Sequence, residues 1–273
     1  MNKLITRCVA FLALLLCAGA GISSAFAQTG RISMTFAGQV GSEYKLLLMG
    51  RQDGTVKLLW GDGTSETKDL YKDKATAIKG KLVDRTLTIE GDVAVLECSG
   101  NNLLKLDVAQ MPQLTDLISR KNFHTELDLT KSTELRYLLL QDSPVEALDL
   151  SHSSQIDSIV CTNNNKLRSL ALPQQAPQLK KLDLSTCPFI SSVNLKGMPR
   201  LEYLDLSGLA LIELDLSQNL ELTYLVAGKS FMGVITQLTP LTEQATDSPL
   251  TLHRTHDARP IRLTTPRDPH GEL

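Results

Sequence analysis

Four aspartates return at one place in a repeating frame. Asp107, Asp128 and Asp149 stand 21 residues apart, and Asp215 falls at the same place further on. Carboxylates stacked about 5 Å apart repel each other, and hard oxygen ligands of this kind can share a calcium ion. The plainer reading is that each is solvated and capped by nearby hydroxyls and amides. Asp62, in Gly61-Asp62-Gly63, is a second calcium candidate, but glycine on both sides reads more simply as a hairpin turn. Cys98, Cys161 and Cys187 offer sulfur. Their odd number argues against a disulfide framework, and no Cys-x-x-Cys spacing suggests a metal. Cys98 and Cys161 share a column three repeats apart, about 14 Å, which is beyond disulfide reach. All three read as small core residues. His124 and His152 fall at different places in the frame and read as surface residues of turns. His253-x-x-His256 reads as a solvated pair. No Gly-x-Ser-x-Gly, phosphate-binding loop or His-Glu-x-x-His occurs. The expectation is a protein that is not an enzyme and carries no cofactor or metal.

The frame that places these residues repeats about every 21 positions. Its units open at Val93, Leu114, Leu135, Ile156, Leu179, Leu201 and Leu222. Counting the opening residue as position 0, position 3 is Leu96, Leu117, Leu138, Ile159, Leu182, Leu204 and Leu225. Position 5 is Cys98, Ser119, Leu140, Cys161, Leu184, Leu206 and Ala227, and position 8 is Asn101, Asn122, Ser143, Asn164, Cys187, Leu209 and Ser230. A second apolar cluster follows in each unit, from Leu106/Val108 to Leu214/Leu216. One unit cannot bury its own leucines, but stacked units turn each column into a continuous core. Leu-x-x-Leu-x-Leu is short and alternating, so it predicts a strand, and successive strands pair in parallel. Six units make a sheet on the order of 30 Å long. Asparagine at position 8 supplies donors and an acceptor to the backbone of the adjacent turn. Ser143 and Ser230 can do this weakly, while Cys187 and Leu209 cannot do it in the same way.

Alternate residues of each strand leave the core. Position 4 therefore sets Ile118, Leu139 and Val160 side by side on the concave face, with Tyr137 of position 2 beside them. Farther along, Tyr203 and Tyr224 pair next to Asp183 and Asp205. A contiguous exposed apolar patch marks an interface, and tyrosine is a favoured anchor there. The competing expectation is that the N-terminal module or the C-terminal tail folds over the patch.

The pattern Leu-x-x-Leu-x-Cys-x-x-Asn resembles leucine-rich repeat proteins. The companion Leu-Asp-Leu-Ser, at 148–151, 182–185, 204–207 and 214–217, is similar to the internalin-like members secreted by Gram-negative bacteria of the gut and mouth. The resemblance covers residues 93–237, six repeats and one degenerate. It implies a non-enzymatic binding module that takes its ligand on the concave strand face.

Residues 1–27 read as a signal peptide. Lys3 and Arg7 precede the apolar run Val9–Ala20, and Ala25-Phe-Ala27 is a small-x-small cleavage pattern. The run is shorter than the roughly 20 residues of a membrane span, so none is expected after cleavage. Leu16 before Cys17 is a poor fit to lipid modification. Without Lys3 and Arg7, 26 basic residues face 30 acidic ones, a net charge near −4. Nothing there attracts nucleic acid or an anionic membrane. Residues 28–92 alternate with period two and predict a small β module capping the first repeat. Its Trp60-Gly-Asp-Gly-Thr64 resembles the signature of PKD-like β-sandwich modules. Residues 238–273 are polar and charged and read as a disordered or loosely attached tail. The expected molecule is a mostly β leucine-rich repeat solenoid, secreted or on the cell surface, with the periplasm as another possible destination. It would bind a host or bacterial protein through its concave face. A carbohydrate-binding module and a structural envelope or matrix component are the alternatives.

Overall fold

The computed structural model describes residues 30–211 and 213–227, and the backbone of 234–236, 242–244 and 250–253. The predicted signal peptide, His256 and much of the predicted tail lie outside these residues. The alternating N-terminal segment forms β1 (Gly30–Phe36), β2 (Glu43–Gly50), β3 (Gly54–Trp60), β4 (Ser65–Leu70), β5 (Thr76–Lys81) and β6 (Thr86–Gly91). The first repeat contributes β7 (Val93–Glu97) and β8 (Leu103–Gln110). The front wall continues as β9 (Asp116–Arg120), β10 (Tyr137–Gln141), β12 (Ser158–Thr162), β14 (Lys181–Asp183), β15 (Tyr203–Leu206) and β17 (Tyr224–Ala227). The back wall carries β11 (Ala147–Asp149), β13 (Ser169–Ala171), β16 (Glu213–Asp215) and β18 (Val234–Thr236). Two last strands, β19 (Thr242–Gln244) and β20 (Leu250–His253), follow.

This is a β-solenoid of leucine-rich repeats with a small β module in front. The front strands pair in parallel without a register slip: Leu96 with Leu117, Leu117 with Leu138, Leu138 with Ile159, and so on to Leu225. That register follows from the leucine frame, because a slip of one residue would turn every leucine outward. The position-3 column is fully buried throughout. Short back strands also pair in parallel, β11 with β13 and β16 with β18. Where back strands pair, their spacing of about 4.8 Å matches that of the front wall.

The N-terminal module is built into the same core. β2 joins the front sheet antiparallel to β7 with β5 beyond it, while β1 pairs with β8 of the back wall. Ile32, Leu46, Leu96 and Leu138 belong to one continuous apolar cluster. Trp60 packs at the module's centre against Phe36 and Tyr44. Asp62 sits in the turn between β3 and β4, where its carboxylate accepts from the Thr64 N–H (2.9 Å) and hydroxyl (2.7 Å).

Corners are held by ladders running from repeat to repeat. The Asn164 side chain accepts from Ser143 N (3.0 Å) and donates to Leu140 O (2.9 Å) in the repeat before it. Asn122 does the same to Leu103 N and Cys98 O. Asn101 has no earlier repeat and reaches Lys45 of β2, accepting at 2.9 Å and donating at 2.8 Å. Cys187 supplies only the donor half of this rung. Its thiol donates to Cys161 O at 3.0 Å, the position-5 carbonyl that asparagine reaches elsewhere. Position 7 adopts the left-handed conformation in six successive repeats: Gly100, Lys121, Asp142, Asn163, Thr186 and Gly208, with φ of 67, 53, 52, 56, 60 and 79°. This turns the N–H along the stack. Lys121 N donates to Gln141 O (2.9 Å) and Thr186 N to Ser207 O (2.7 Å).

Two expectations differ from the structure. His124 is fully buried and is not a surface residue. It occupies position 10, which is Leu103 in the previous repeat and Val145 in the next, both buried. Its Nε2 lies 3.0 Å from the Ser119 hydroxyl, which in turn accepts from Asn122 Nδ2 at 2.9 Å. Where a loose tail is expected from residue 238, β20 pairs antiparallel with β17, and β19 pairs with β20. An antiparallel return does not continue the leucine frame, so nothing periodic announces it.

Candidate functional site

Strand alternation delivers the front face. Ile118, Leu139 and Val160 stand in register on β9, β10 and β12, each half-buried, with Tyr137 one residue pair away on β10. The module lengthens this patch. Leu47 of β2 pairs with Glu97 and Met49 with Val95, so both half-buried side chains join the same face. Sequence reasoning misses them because alternation alone does not say which sheet β2 enters.

The other predicted set also comes together. Tyr203 and Tyr224 stack with ring centres 4.4 Å apart and planes 7° from parallel. Lys181 Nζ sits 4.6 Å from the centre of the Tyr203 ring, opposite in register on the neighbouring strand. Such a stack contributes about 0.5–1.5 kcal/mol beyond the area it buries. Asp183 and Asp205 are paired in the same register. Each turns one oxygen to the backbone N–H two residues on, Ser185 at 3.1 Å and Ser207 at 2.9 Å. Burial, followed by these two carboxylates, pushes the Tyr203 hydroxyl far above its ordinary pKa. It therefore stays protonated and can donate a hydrogen bond.

The repeating aspartates of the back corner are used in the same manner. Asp107, Asp128, Asp149 and Asp215 each accept from the N–H two residues on, at 3.0, 2.9, 2.9 and 2.9 Å. Leu-Asp-Leu-Ser thus makes the corner at both edges of the solenoid. Hydrogen bonds from Thr130, Ser151 and Ser217 hold the carboxyls of Asp128, Asp149 and Asp215 below the usual carboxylate range. Among the described residues, no three His, Cys, Asp or Glu side chains form a group able to hold a metal. Cys98, Cys161 and Cys187 are buried and unpaired, and burial raises the Cys98 thiol to about 12 and the Cys187 thiol to about 11. His152 is exposed on a turn.

The opposite end of the front face is basic, which the sequence reading does not anticipate. Lys45 of β2 stands directly across from Lys79 of β5, and both are exposed. Like charges placed opposite one another destabilise a sheet. No acidic side chain lies within ion-pair distance of either among the described residues.

No protein-family model matches the chain, and no curated protein does. Among solved structures it is similar to the functional domain of InlJ from Listeria monocytogenes, which includes a cysteine ladder. Identity is 25% and the TM-score 0.39, with 54% of this chain and 36% of that one covered. The chain thus spans about a third of that protein's length.

Proposed function

We propose that the protein is an exported, non-enzymatic binding protein that holds a protein ligand across its front face. The anchor is the run Ile118–Leu139–Val160 with Tyr137, flanked by Tyr203, Tyr224, Asp183 and Asp205. One observation carries the reading: three aliphatic side chains stand in unbroken register, each only half-buried, on a sheet whose geometry is fixed by ladders on both edges. Apolar patches of that kind serve interfaces. Rigid support also lowers the ordering cost of binding. Export is supported by the charged, apolar and small-x-small order of residues 1–27. The Leu-Asp-Leu-Ser repeats, and their resemblance to internalin-like proteins, agree with a surface or secreted destination. A sugar platform is less well supported, because Trp60 is buried within the module.

The test is capture from host and bacterial extracts by residues 28–273, beside a Leu139→Glu/Val160→Glu variant shown by circular dichroism to be folded. A protein retained by the parent and lost by the variant is the expected result. Equal retention by both moves the site off this face.

A further inference from the structure

From the distribution of charge along the front face, we infer that this face docks a second copy of the same chain, the two sheets meeting about a two-fold axis parallel to the strands. This rests on the reading of the front face as the binding face and names its occupant.

The described strands of the front sheet run in space as β5, β2, β7, β9, β10, β12, β14, β15, β17, β20 and β19. Lys79 and Lys45 occupy the first two, and Asp183 and Asp205 occupy β14 and β15. Between them lie Leu47, Ile118, Leu139 and Val160. The face is net basic at one end, where Lys81 and Glu43 also stand opposite each other, apolar in the middle, and net acidic at the other end, where Lys181 accompanies the two aspartates.

A two-fold axis along the strands, placed between β9 and β10, reverses this order in the second copy. β5 then lies over β15, β2 over β14, β7 over β12 and β9 over β10. Each uncompensated lysine comes over a strand bearing an aspartate, one residue pair (about 7 Å) further along, within reach of a lysine side chain. Ile118 of one copy meets Leu139 of the other at the axis. Asp116 comes over Tyr137, whose hydroxyl can donate to it. Glu97 faces Ser158 and Val160, Arg120 faces Gln141, and Lys181 faces Met49; Asp183 faces Leu47, with Lys45 one residue pair beyond, and Glu43 and Lys81 lie opposite each other at the rim. The alternative axis, along the stack, sets every strand antiparallel on itself, which keeps both lysine strands together and both aspartate strands together and offers no pairing of opposite charge.

Two sheets can pack face to face about 10 Å apart. Eight strands crossing a strip four residues wide bury about 500 Å² on each copy, at the lower limit for a specific interface. A dimer dissociating at roughly micromolar concentration is therefore expected.

The experiment is sedimentation equilibrium on residues 28–273 across a concentration series, with folding of every variant checked by circular dichroism. The parent should dimerise, more weakly at 1 M salt. Lys45→Glu/Lys79→Glu makes both ends acidic, and Asp183→Lys/Asp205→Lys makes both basic. Each alone should raise the dimer Kd at least tenfold, and an equimolar mixture of the two should associate again. A parent that stays monomeric to about a hundred times the micromolar range overturns the inference. So does a dimer that neither reversal weakens, or reversals that weaken it with no recovery on mixing. The capture experiment on the Leu139→Glu/Val160→Glu variant separates the two failures. Loss of a captured foreign protein in that variant, beside a monomeric parent, removes the self-docking and leaves the front face as the binding face.

Discussion

Repeats two and three share one frame and fill it differently. Where repeat three closes its core with Leu140 and Val145, repeat two uses Ser119 and His124. The backbone does not register the change: Ser119 and Leu140 are paired in the same unshifted ladder. A polar pair can stand in two apolar columns only because the two side chains satisfy each other, at 3.0 Å, and Asn122 ties the serine to the corner. The pairing is incomplete, since His124 Nδ1 is buried without a hydrogen-bond partner. The frame therefore tolerates polarity in matched sets and is weakened by single members.

The contrast between the two repeats breaks hardest if repeat three is given half of repeat two's solution. Leu140→Ser opens a cavity and buries a hydroxyl with no histidine to meet it. The expected loss is about 2–5 kcal/mol of unfolding free energy, read from urea denaturation at neutral pH. A loss below about 1 kcal/mol would mean that the columns are not closely packed.

Acid probes the other half. Burial lowers the His124 pKa from 6.5 to about 4, so the folded chain binds its proton less readily than the unfolded chain. The unfolded chain holds more protons between these values, and stability rises with pH across that window. The contribution is complete above pH 6.5 and falls away toward pH 4. The loss is about 3 kcal/mol. Ser119→Leu/His124→Val, which copies repeat three, should flatten this part of the pH–stability curve. An unchanged slope in the double variant would assign the acid sensitivity to other groups.

The smallest effect concerns the corner. Lys121 and Asp142 hold the same left-handed conformation in the two repeats, at φ 53 and 52°. Asparagine tolerates that region well, aspartate nearly as well and lysine poorly. Lys121→Asn should stabilise by about 0.5–1 kcal/mol, and Asp142→Asn should change little. Equal gains at both positions would show that side-chain type is irrelevant at this turn.

The frame was legible because burying leucine demands a fixed period, and the front face followed by simple alternation. Ile118, Leu139 and Val160 were readable as neighbours, as was the Tyr203–Tyr224 pair. His124 was legible in principle, since Leu103 and Val145 flank it in the same apolar column. Its type suggests the surface, whereas its position in the frame dictates the core. The left-handed corner was hidden because Gly100, Lys121, Asp142 and Thr186 have little in common as side chains. What they share is a backbone demand imposed by the next repeat. The basic end of the face was hidden for another reason: Lys45 and Lys79 are 34 residues apart and meet only through an antiparallel pairing that no period encodes.

The asparagine ladder has one long rung. Those within the repeats join residues 19 to 24 apart, whereas Asn101 ties itself to Lys45 across 56. Chain entropy grows only with the logarithm of the loop closed, so the longer excursion costs about 1 kcal/mol more than an ordinary rung. The N-terminal module is thus joined to the stack at nearly the entropic cost of one more repeat, and its extra residues offset that cost by packing β4, β3, β6 and β1 into a sheet that continues through β8 of the first repeat.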